Sequence, residues 1–295
     1  MATASTAAWP APLPASEALL SRAAGENFPV AMRWLRREER RHLMAVYGFA
    51  RLADELGDEA PGDRLALLDE LERELDRIAR REAPRHPLLA RLAPTVHALG
   101  LPREPFDRLI RANRRDQQGE RYPALEDLLG YCADSANPVG ELVLRVFGAC
   151  TPERLALADA VSSGLQLAEH WQDVAEDLAR GRLYLPLQDL ARFECRERDL
   201  GLCPAPARVR ALLAYEVGRA RALLERGVPL VAGLQGRARL AVAGFVAGGA
   251  AALDAIERRD FDVSRGAPRP LRRDFARRLL GALYAARRVA QGARS

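Results

Sequence analysis

Apolar residues recur at steps of three and four along nearly the whole chain from Ser16 onward, and this helical periodicity constrains the fold more than any other feature. Leu43, Val46, Tyr47 and Ala50, for example, fall on one face of a helix. Runs that alternate apolar and polar residues, as half-buried strands do, are nearly absent. The pattern predicts an all-α protein in which each amphipathic helix buries one face.

Prolines, glycines and changes of phase divide the chain into predicted helices. The first 15 residues are rich in Ala and Pro and are expected to be flexible, whereas residues 16–290 are expected to form one helical domain. A short helix opens at Ser16 and Glu17 by the N-cap rule. The longer predicted helices cover about 28–59, 62–80, 87–100, 104–118, 124–148, 151–181, 205–227, 236–260 and 271–290.

Two segments within these helices, 140–149 and 238–253, are apolar on all sides. Helices of this kind are buried, and the second is rich in Gly and Ala, which leave space beside the backbone. Either both helices pack closely in the core, or they line a cavity for a long apolar molecule. The sequence favours the two interpretations about equally.

The absence of lysine excludes several kinds of site. All 45 cationic side chains are arginine, so the chain has neither a P-loop lysine for phosphates nor a Schiff-base lysine. A G-x-S-x-G elbow and a dinucleotide-binding glycine motif are also missing. The four cysteines are scattered, as expected for reduced thiols with structural roles.

Charge and hydropathy predict a cytoplasmic protein. The N-terminal segment lacks the basic start of a signal peptide, and no uninterrupted apolar run is long enough to span a membrane. The arginines are dispersed among glutamates, so nucleic-acid binding is not expected. The net charge of +5 leaves open a peripheral contact with the inner face of an anionic membrane.

Two pairs of aspartates share one spacing: Asp54 with Asp58, and Asp173 with Asp177. Residues four apart project from the same helix face about one turn from each other. Two such carboxylates can hold Mg²⁺ through hard oxygen ligands, whereas without a counter-ion their repulsion weakens the helix. A single pair of this kind is common on solvated helix faces, so the spacing alone does not define a site.

Arginines beside both pairs strengthen the functional interpretation. Arg51 precedes the first pair, and Arg180 and Arg182 follow the second. A metal can bridge carboxylate and phosphate oxygens, and a guanidinium group can bind the remaining phosphate charge in a bidentate manner. If the two helices face each other across a bundle, the pattern predicts a Mg²⁺-dependent diphosphate site between them.

The sequence resembles the squalene/phytoene synthase family of all-α head-to-head prenyl transferases, and within it the branch found with hopanoid synthesis. The Arg-Gly-Arg-x-Tyr tail after the second aspartate pair is the most specific match. The resemblance implies a single-domain isoprenoid-synthase-type helical bundle with a central apolar cavity. The matching segments are "ENFPVAMRWL" (26–35), "VYGFARLADELGDE" (46–59), "YCADSANPVGELVLRVFG" (131–148) and "WQDVAEDLARGRLYLP" (171–186).

The resemblance also implies roles for individual residues. The four aspartates would be ligands of Mg²⁺, with three ions around the bound diphosphate, and Tyr131 would lie near the ionising group. Asn137 and Gly140 fall in a segment where a family helix breaks to make room for substrate. The implied substrate-binding residues are Phe28, Tyr47, Arg51, Asn137, Gln166, Arg182 and Tyr184.

Three positions depart from the family pattern. Glu55 replaces the second residue of the usual Asp-Asp pair, a change that keeps the charge. Glu169 stands where relatives commonly carry an asparagine, one turn before Asp173; it still offers oxygen to Mg²⁺ but adds charge and length. His170 occupies a position that is often aromatic, and a packed or surface histidine is expected there in preference to a phosphate partner.

The activity implied by the resemblance begins with loss of diphosphate. In the hopanoid branch, presqualene diphosphate from a separate presqualene diphosphate synthase would ionise and capture water, giving hydroxysqualene for a later reductase. The cation needs an apolar cavity with aromatic faces, although core packing is the expected role of each candidate aromatic residue taken singly. These candidates are Phe28, Tyr47, Phe147, Trp171 and Phe245.

Two alternatives stay open. Motifs for ionisation are shared across the family, so the chain could instead condense two farnesyl or geranylgeranyl diphosphates to presqualene diphosphate, squalene or phytoene. It could also be a non-catalytic helical assembly factor of the same fold. The presence of all four aspartates argues against the second alternative.

Overall fold

The computed structural model describes residues 16–21 and 34–292, and over these residues it confirms the predicted all-α fold, with helices and no strand. The segment 1–15 and Phe28, for which predictions were made, lie outside the described residues. The helices are α1 (Ser16–Ser21), α2 (Arg37–Asp58), α3 (Arg64–Ala79), α4 (Pro87–Leu99), α5 (Glu104–Asp116), α6 (Leu125–Ser135), α7 (Asn137–Val146), α8 (Pro152–Gln172), α9 (Val174–Ala179), α10 (Leu187–Arg192), α11 (Glu197–Leu200), α12 (Ala207–Arg226), α13 (Val228–Gly233), α14 (Gly236–Arg258) and α15 (Arg272–Gly292).

Two of the predicted helices are broken in the structure. The stretch 124–148 forms α6 and α7, with the break at Ala136, since Pro138 has no N–H to continue the helical ladder. The stretch 151–181 forms α8 and α9, which meet at Asp173 (φ −103°, ψ 13°). The helix predicted from residue 28 begins, within the described residues, at Arg37.

Helices α2 and α8 are central to the two halves of the bundle. Helix α2 packs on α3, α4, α5 and α7, and its side chains Phe49, Leu52 and Leu56 are fully buried. Helix α8 packs on α7, α12 and α14, and its Trp171 is fully buried. Because α7 packs on both central helices, it joins the two halves.

The two apolar helices both pack closely and line a cavity. A Cβ at Gly140 of α7 would overlap the hydroxyl of Ser162 on α8, so a larger residue there would require Ser162 to move. Val143 of α7, with Val242 and Phe245 of α14, lines a cavity of about 1230 Å³ including its open mouth. The predicted central apolar cavity is therefore confirmed.

Helix α14 is the one described helix that is long and apolar enough to cross a membrane by length and composition. Its most apolar stretch is 78% buried inside the fold. Burial of this kind is typical of a core helix, in agreement with the position of α14 against α8, α12 and α15.

Candidate active site

Both aspartate pairs line one acidic cleft at the end of the apolar cavity. Asp54 and Asp58 come from the last turns of α2, while Asp173 and Asp177 come from the α8–α9 junction. The predicted opposition of the two pairs is thus present in the fold. The remaining residues that line the cleft are Arg51, Glu55, Glu59, Leu109, Ala112, Asn113, Asp116, Tyr131, Ser135, Gln166, Glu169, His170, Glu176, Arg180, Arg182 and Tyr184.

Arginines that follow the second pair reach across the cleft to the end of α2. The Arg182 guanidinium donates to both carboxylate oxygens of Asp58, with Nη1 3.1 Å from Oδ2. Its neighbour in the same tail, Arg180, forms an ion pair with Glu59 at 3.3 Å. The Asp58 interaction raises the pKa of Arg182 further above its already high value. These contacts hold the two motifs against each other.

Asp54 is held in place from α5 and from its own helix. Asn113 donates an amide N–H to Oδ1 of Asp54 at 3.4 Å, and Arg51 lies 3.5 Å from Oδ2. Gly57 makes this approach possible, because a Cβ there would overlap the Asn113 side chain. The same backbone accepts a hydrogen bond from Gln117, whose Nε2 lies 2.6 Å from the Gly57 carbonyl.

The second pair keeps its helical spacing in spite of the break at Asp173. The backbone N–H of Asp177 donates to the Asp173 carbonyl at 2.8 Å, so the two side chains remain one turn apart. His170 is buried behind them, with its ring stacked on Tyr184 at 3.7 Å between centroids and its Nδ1 3.8 Å from Asp177. It is therefore a packed residue of the cleft wall.

Asp116, at the end of α5, is a site residue that the sequence did not reveal. The hydroxyls of Tyr131 and Tyr184 donate to its two carboxylate oxygens at 2.8 and 2.9 Å. Burial raises the pKa of Asp116, although both tyrosine hydroxyls and Arg182 oppose the rise. Burial also raises the pKa of Tyr131 and Tyr184, so both stay protonated donors.

Asp116→Asn is expected to lower turnover about 10- to 100-fold, as losses of supporting hydrogen bonds around a site commonly do. An amide presents only one acceptor oxygen, so one of the two tyrosine hydroxyls loses its partner. Steady-state kinetics on folded protein would measure the effect. Asp107→Asn is the matched control, because Asp107 lies on the same helix but pairs with Arg103 away from the cleft. Equal activity of the two variants would contradict a role for Asp116.

The cleft carries a large excess of negative charge. Nine carboxylates and three arginines line it, so the carboxylates outnumber the guanidinium groups by six. Burial and then the neighbouring Asp177 and Glu176 raise the pKa of Asp173 to about 6. Burial also raises the pKa of Asp54 to about 6, with Asp58 and Asp116 adding to the rise, although its side chain is 46% exposed to the cleft. The three guanidinium groups of the cleft are thus too few to neutralise its nine carboxylates.

The apolar cavity opens directly into this acidic cleft. Tyr47 and Ala50 of α2 face the cavity, and one turn further along the helix Asp54 faces both spaces. On α8, Leu165 faces the cavity while Glu169 faces both. The residues shared by cavity and cleft are Arg51, Asp54, Leu109, Ser135, Gln166 and Glu169.

Most of the predicted site residues are brought together at the cleft or the cavity. Asn137 lines neither the cleft nor the cavity. Its Oδ1 accepts a hydrogen bond from Ser163 at 3.0 Å, and this contact joins α7 to α8. Among the aromatic candidates, Trp171 is fully buried in the core, and neither it nor Phe147 lines the cavity. The residues brought together are Tyr47, Arg51, Asp54, Asp58, Tyr131, Gln166, Glu169, Asp173, Asp177, Arg182, Tyr184 and Phe245.

The donors of the cleft suit a hard divalent cation. Carboxylate oxygens are the ligands that Mg²⁺ prefers, and the charge excess favours cation binding. Among the described residues, no three Asp, Glu, His or Cys side chains are close enough together to hold one metal ion. Within the part of the chain that the structure describes, a cation bound by one aspartate pair would therefore need ligands other than a third acidic, histidine or cysteine side chain, such as amide, water or phosphate oxygens. An aspartate pair, an arginine and an apolar cavity together suit an amphipathic molecule with an anionic head.

A family model, a solved structure and two related proteins all match this chain. The family model for squalene/phytoene synthase matches residues 21–290. The structure of the squalene synthase HpnC from Alicyclobacillus acidocaldarius is 42% identical, with a TM-score of 0.76 over 84% of this chain and 94% of that one. A hydroxysqualene synthase from Rhodopseudomonas palustris is 36% identical over 212 residues, 70% of each protein. A phytoene synthase from Mycobacterium tuberculosis is 31% identical over 254 residues, 84% of this chain and 80% of the relative. The chain belongs to the squalene/phytoene synthase family.

Proposed function

We propose that this protein converts presqualene diphosphate and water into hydroxysqualene and diphosphate, in a Mg²⁺-dependent reaction. The C–O bond to the diphosphate breaks, one water adds to the resulting cation, and the oxygen loses a proton. No reductant is consumed. The proposal follows the 42% and 36% identities to the squalene synthase HpnC and to a hydroxysqualene synthase.

The observation that carries the proposal is the direct opening of the apolar cavity into the acidic cleft. A substrate with a long hydrocarbon body and a diphosphate head would place its reacting bond at this junction. Arg51 and Asp54 line both spaces, so the leaving group would meet charged partners as soon as it separates. The aliphatic walls would keep stray water from the cation.

Mg²⁺ fits the residues of the cleft, on the evidence of their donor type and charge excess. The aspartate pairs Asp54–Asp58 and Asp173–Asp177 would hold the ions, with Glu169 as a further oxygen donor. When bound, Mg²⁺ neutralises charge that develops on the departing diphosphate. Since no three acidic side chains of the described residues converge on one point, diphosphate oxygens and water would complete the coordination.

The protein's own side chains have distinct proposed roles. Arg51 would bind the diphosphate in a bidentate manner, and Arg182 would bind it through N–H groups that it does not donate to Asp58. The hydroxyls of Tyr131 and Tyr184 both donate to Asp116, and these hydrogen bonds fix the two rings on one wall of the cleft. Tyr47 and Phe245 line the cavity, where aromatic faces can stabilise positive charge.

Product analysis by mass spectrometry, with presqualene diphosphate and farnesyl diphosphate offered separately, tests the proposal. Hydroxysqualene from presqualene diphosphate, with Mg²⁺-dependent release of diphosphate, is the expected result. No turnover of either substrate would instead favour the non-catalytic assembly factor. A functional role beside a presqualene diphosphate synthase and a hydroxysqualene reductase would follow from the expected product.

Condensation of two prenyl diphosphates is the second candidate, and the 31% identity to a phytoene synthase over 254 residues favours it. A condensing enzyme needs room for two prenyl chains, and the apolar cavity beside the cleft is the space in which they would lie. Formation of presqualene diphosphate, squalene or phytoene from farnesyl or geranylgeranyl diphosphate in the same experiment would identify this activity.

Glu169→Asn is expected to preserve or raise turnover, within about tenfold of the original enzyme, if this position supplies a metal ligand. The amide keeps an oxygen donor and removes one of the nine negative charges that line the cleft. Mg²⁺ titrations of diphosphate release would measure the effect, with Glu169→Leu as the variant that offers no oxygen. Complete loss of activity in the asparagine variant would mean that the glutamate charge itself is required.

A further inference from the structure

Two large apolar side chains stand out from the surface of α15. Leu280 is 70% exposed and Tyr284 is 65% exposed, the highest values for large apolar side chains among the described residues. They lie four positions apart, so they share one helix face. Neighbouring exposed apolar groups of this kind mark a surface that contacts something else.

The opposite face of α15 is firmly packed on the bundle. Ala282 and Ala286 are buried in an apolar cluster with α13 and α14. Arg278 forms an ion pair with the buried Asp254 of α14. Because these contacts fix the rotation of α15, Leu280 and Tyr284 must point away from the protein.

The outward face around this apolar pair is cationic. Arg273 lies two turns before Leu280, while Arg287 and Arg288 follow Tyr284 by one turn, and all three are exposed. These arginines form no ion pair with any residue that the structure describes. Asp274, the single acid in the α15 sequence, is buried and paired with Arg258.

Carboxylates near α15 do not neutralise this face. Glu225 of α12 and Glu257 of α14 help to raise the pKa of Arg278, and Arg278 belongs to the packed side of α15. Arg277, which borders the outward face, is already paired with Asp254 at 3.0 Å. The outward face therefore combines an apolar centre with positive charge at both ends.

We propose that this face, formed by Arg273, Leu280, Tyr284, Arg287 and Arg288, binds the surface of an anionic lipid bilayer. Helices that lie in a membrane interface have this composition, with arginines that reach lipid phosphates and an apolar centre that enters the acyl boundary. Tyrosine suits the same boundary because one end is apolar and the other polar. A second copy of the chain fits less well, since a two-fold contact would set identical arginines against each other.

The position of α15 gives this binding a consequence for the reaction. The apolar cluster that holds Ala282 and Ala286 also contains Leu230 and Val242, which line the active-site cavity. Helix α15 thus covers the outer side of the cavity wall, and its bound face would set that wall close to the bilayer. The idea that a water-insoluble product leaves the cavity for the bilayer rests on the proposed function. The proposal that the face binds lipid does not, because it follows from the composition of the face.

Co-sedimentation of the full chain with vesicles tests the proposal. Binding is expected to vesicles that mix phosphatidylglycerol with phosphatidylcholine, not to pure phosphatidylcholine, and it should weaken as salt is added. Arg287→Ser with Arg288→Ser should weaken binding roughly thirtyfold, and Leu280→Ser with Tyr284→Ser on the order of tenfold. Arg80→Ser with Arg81→Ser, and Leu65→Ser, change other exposed residues of α3 and its end, and these variants should bind as the original protein does.

Several results would overturn the proposal. The original chain could stay unbound with anionic vesicles, or both α15 variants could bind as tightly as it does. Gel filtration could show a dimer that the Leu280 and Tyr284 changes dissociate without any vesicle binding, which would assign the face to a second copy. Vesicle binding requires no substrate, so its failure is separate from failure of the proposed reaction. Mg²⁺-dependent diphosphate release in detergent should be unchanged in all of these variants.

Discussion

Asp173→Asn is expected to lower turnover at least about 10³-fold while the protein stays folded, because the proposed Mg²⁺ would lose a carboxylate ligand and the charge that develops on the diphosphate would be less well neutralised. Asp173 ends α8 and begins α9, so its side chain projects into the cleft from a fixed break in the helix. An amide of the same shape keeps that geometry but removes the negative charge. The predicted loss therefore tests the metal role and not the fold.

The same variant should be slightly more stable than the original protein without ligands. The pKa of Asp173 is raised to about 6 from the usual 3.8, so the folded state holds this proton more tightly than the unfolded state. Ionisation of Asp173 thus costs stability, and the cost grows as pH rises from about 4 to about 6. After allowance for solvent screening of a half-buried group, Asp173→Asn should gain about 1 kcal/mol at neutral pH and nothing at pH values below about 4.

Thermal unfolding and diphosphate release would measure both effects. The original protein is expected to gain stability when Mg²⁺ and inorganic diphosphate are added together, whereas the Asp173→Asn variant should gain little. Asp159→Asn is the matched control, because Asp159 lies on α8 but does not line the cavity or the cleft. Full activity in the Asp173 variant would remove the basis for a metal site at this pair.

Ala50→Phe is expected to lower kcat/KM about 10²-fold or more with a long prenyl diphosphate, because the ring would occupy the space where the hydrocarbon chain must lie. Ala50 faces the cavity one helical position before Arg51, next to the acidic cleft. The added ring enters open space and should cost little stability, unlike an added ring in a packed core.

Comparison of this variant with the Asp173 variant separates two functions of the site. Ala50→Phe should keep the stabilisation by Mg²⁺ and inorganic diphosphate, since the proposed site of the diphosphate head is the acidic cleft and not the cavity. Ala50→Ser, which adds little volume, should turn over the substrate nearly as well as the original protein. Undiminished turnover by the phenylalanine variant would place the hydrocarbon chain somewhere else.

The long helices could be predicted from the sequence because each one buries a continuous apolar face. The ends of α3, α4, α5 and α12 fall within a few residues of the prediction. The break at Asp173 could not be predicted, since the residues on either side continue the helical pattern without proline or glycine. Helices α10, α11 and α13 have six residues or fewer, too short for a period to be recognised.

The site was predictable where its residues follow one another along a helix. The aspartate pairs, with Arg51 and Arg182, carry their own spacing and neighbours. Asp116 has no such signal, because it meets Tyr131 and Tyr184 only through the packing of separate segments. Asn137 illustrates the converse: it lies in a matching segment, but tertiary packing at the α6–α7 break turns its amide to Ser163.

The junction of cavity and cleft limits how substrate range can change in this protein. Arg51, Asp54, Gln166 and Glu169 border both spaces, so a mutation there would alter recognition of chain length and loss of the head group at the same time. The far wall, which includes Leu230 and Val242, borders the cavity alone. Enzymes that accept shorter or longer prenyl chains should therefore arise by resizing that remote wall, with the ionising machinery left intact.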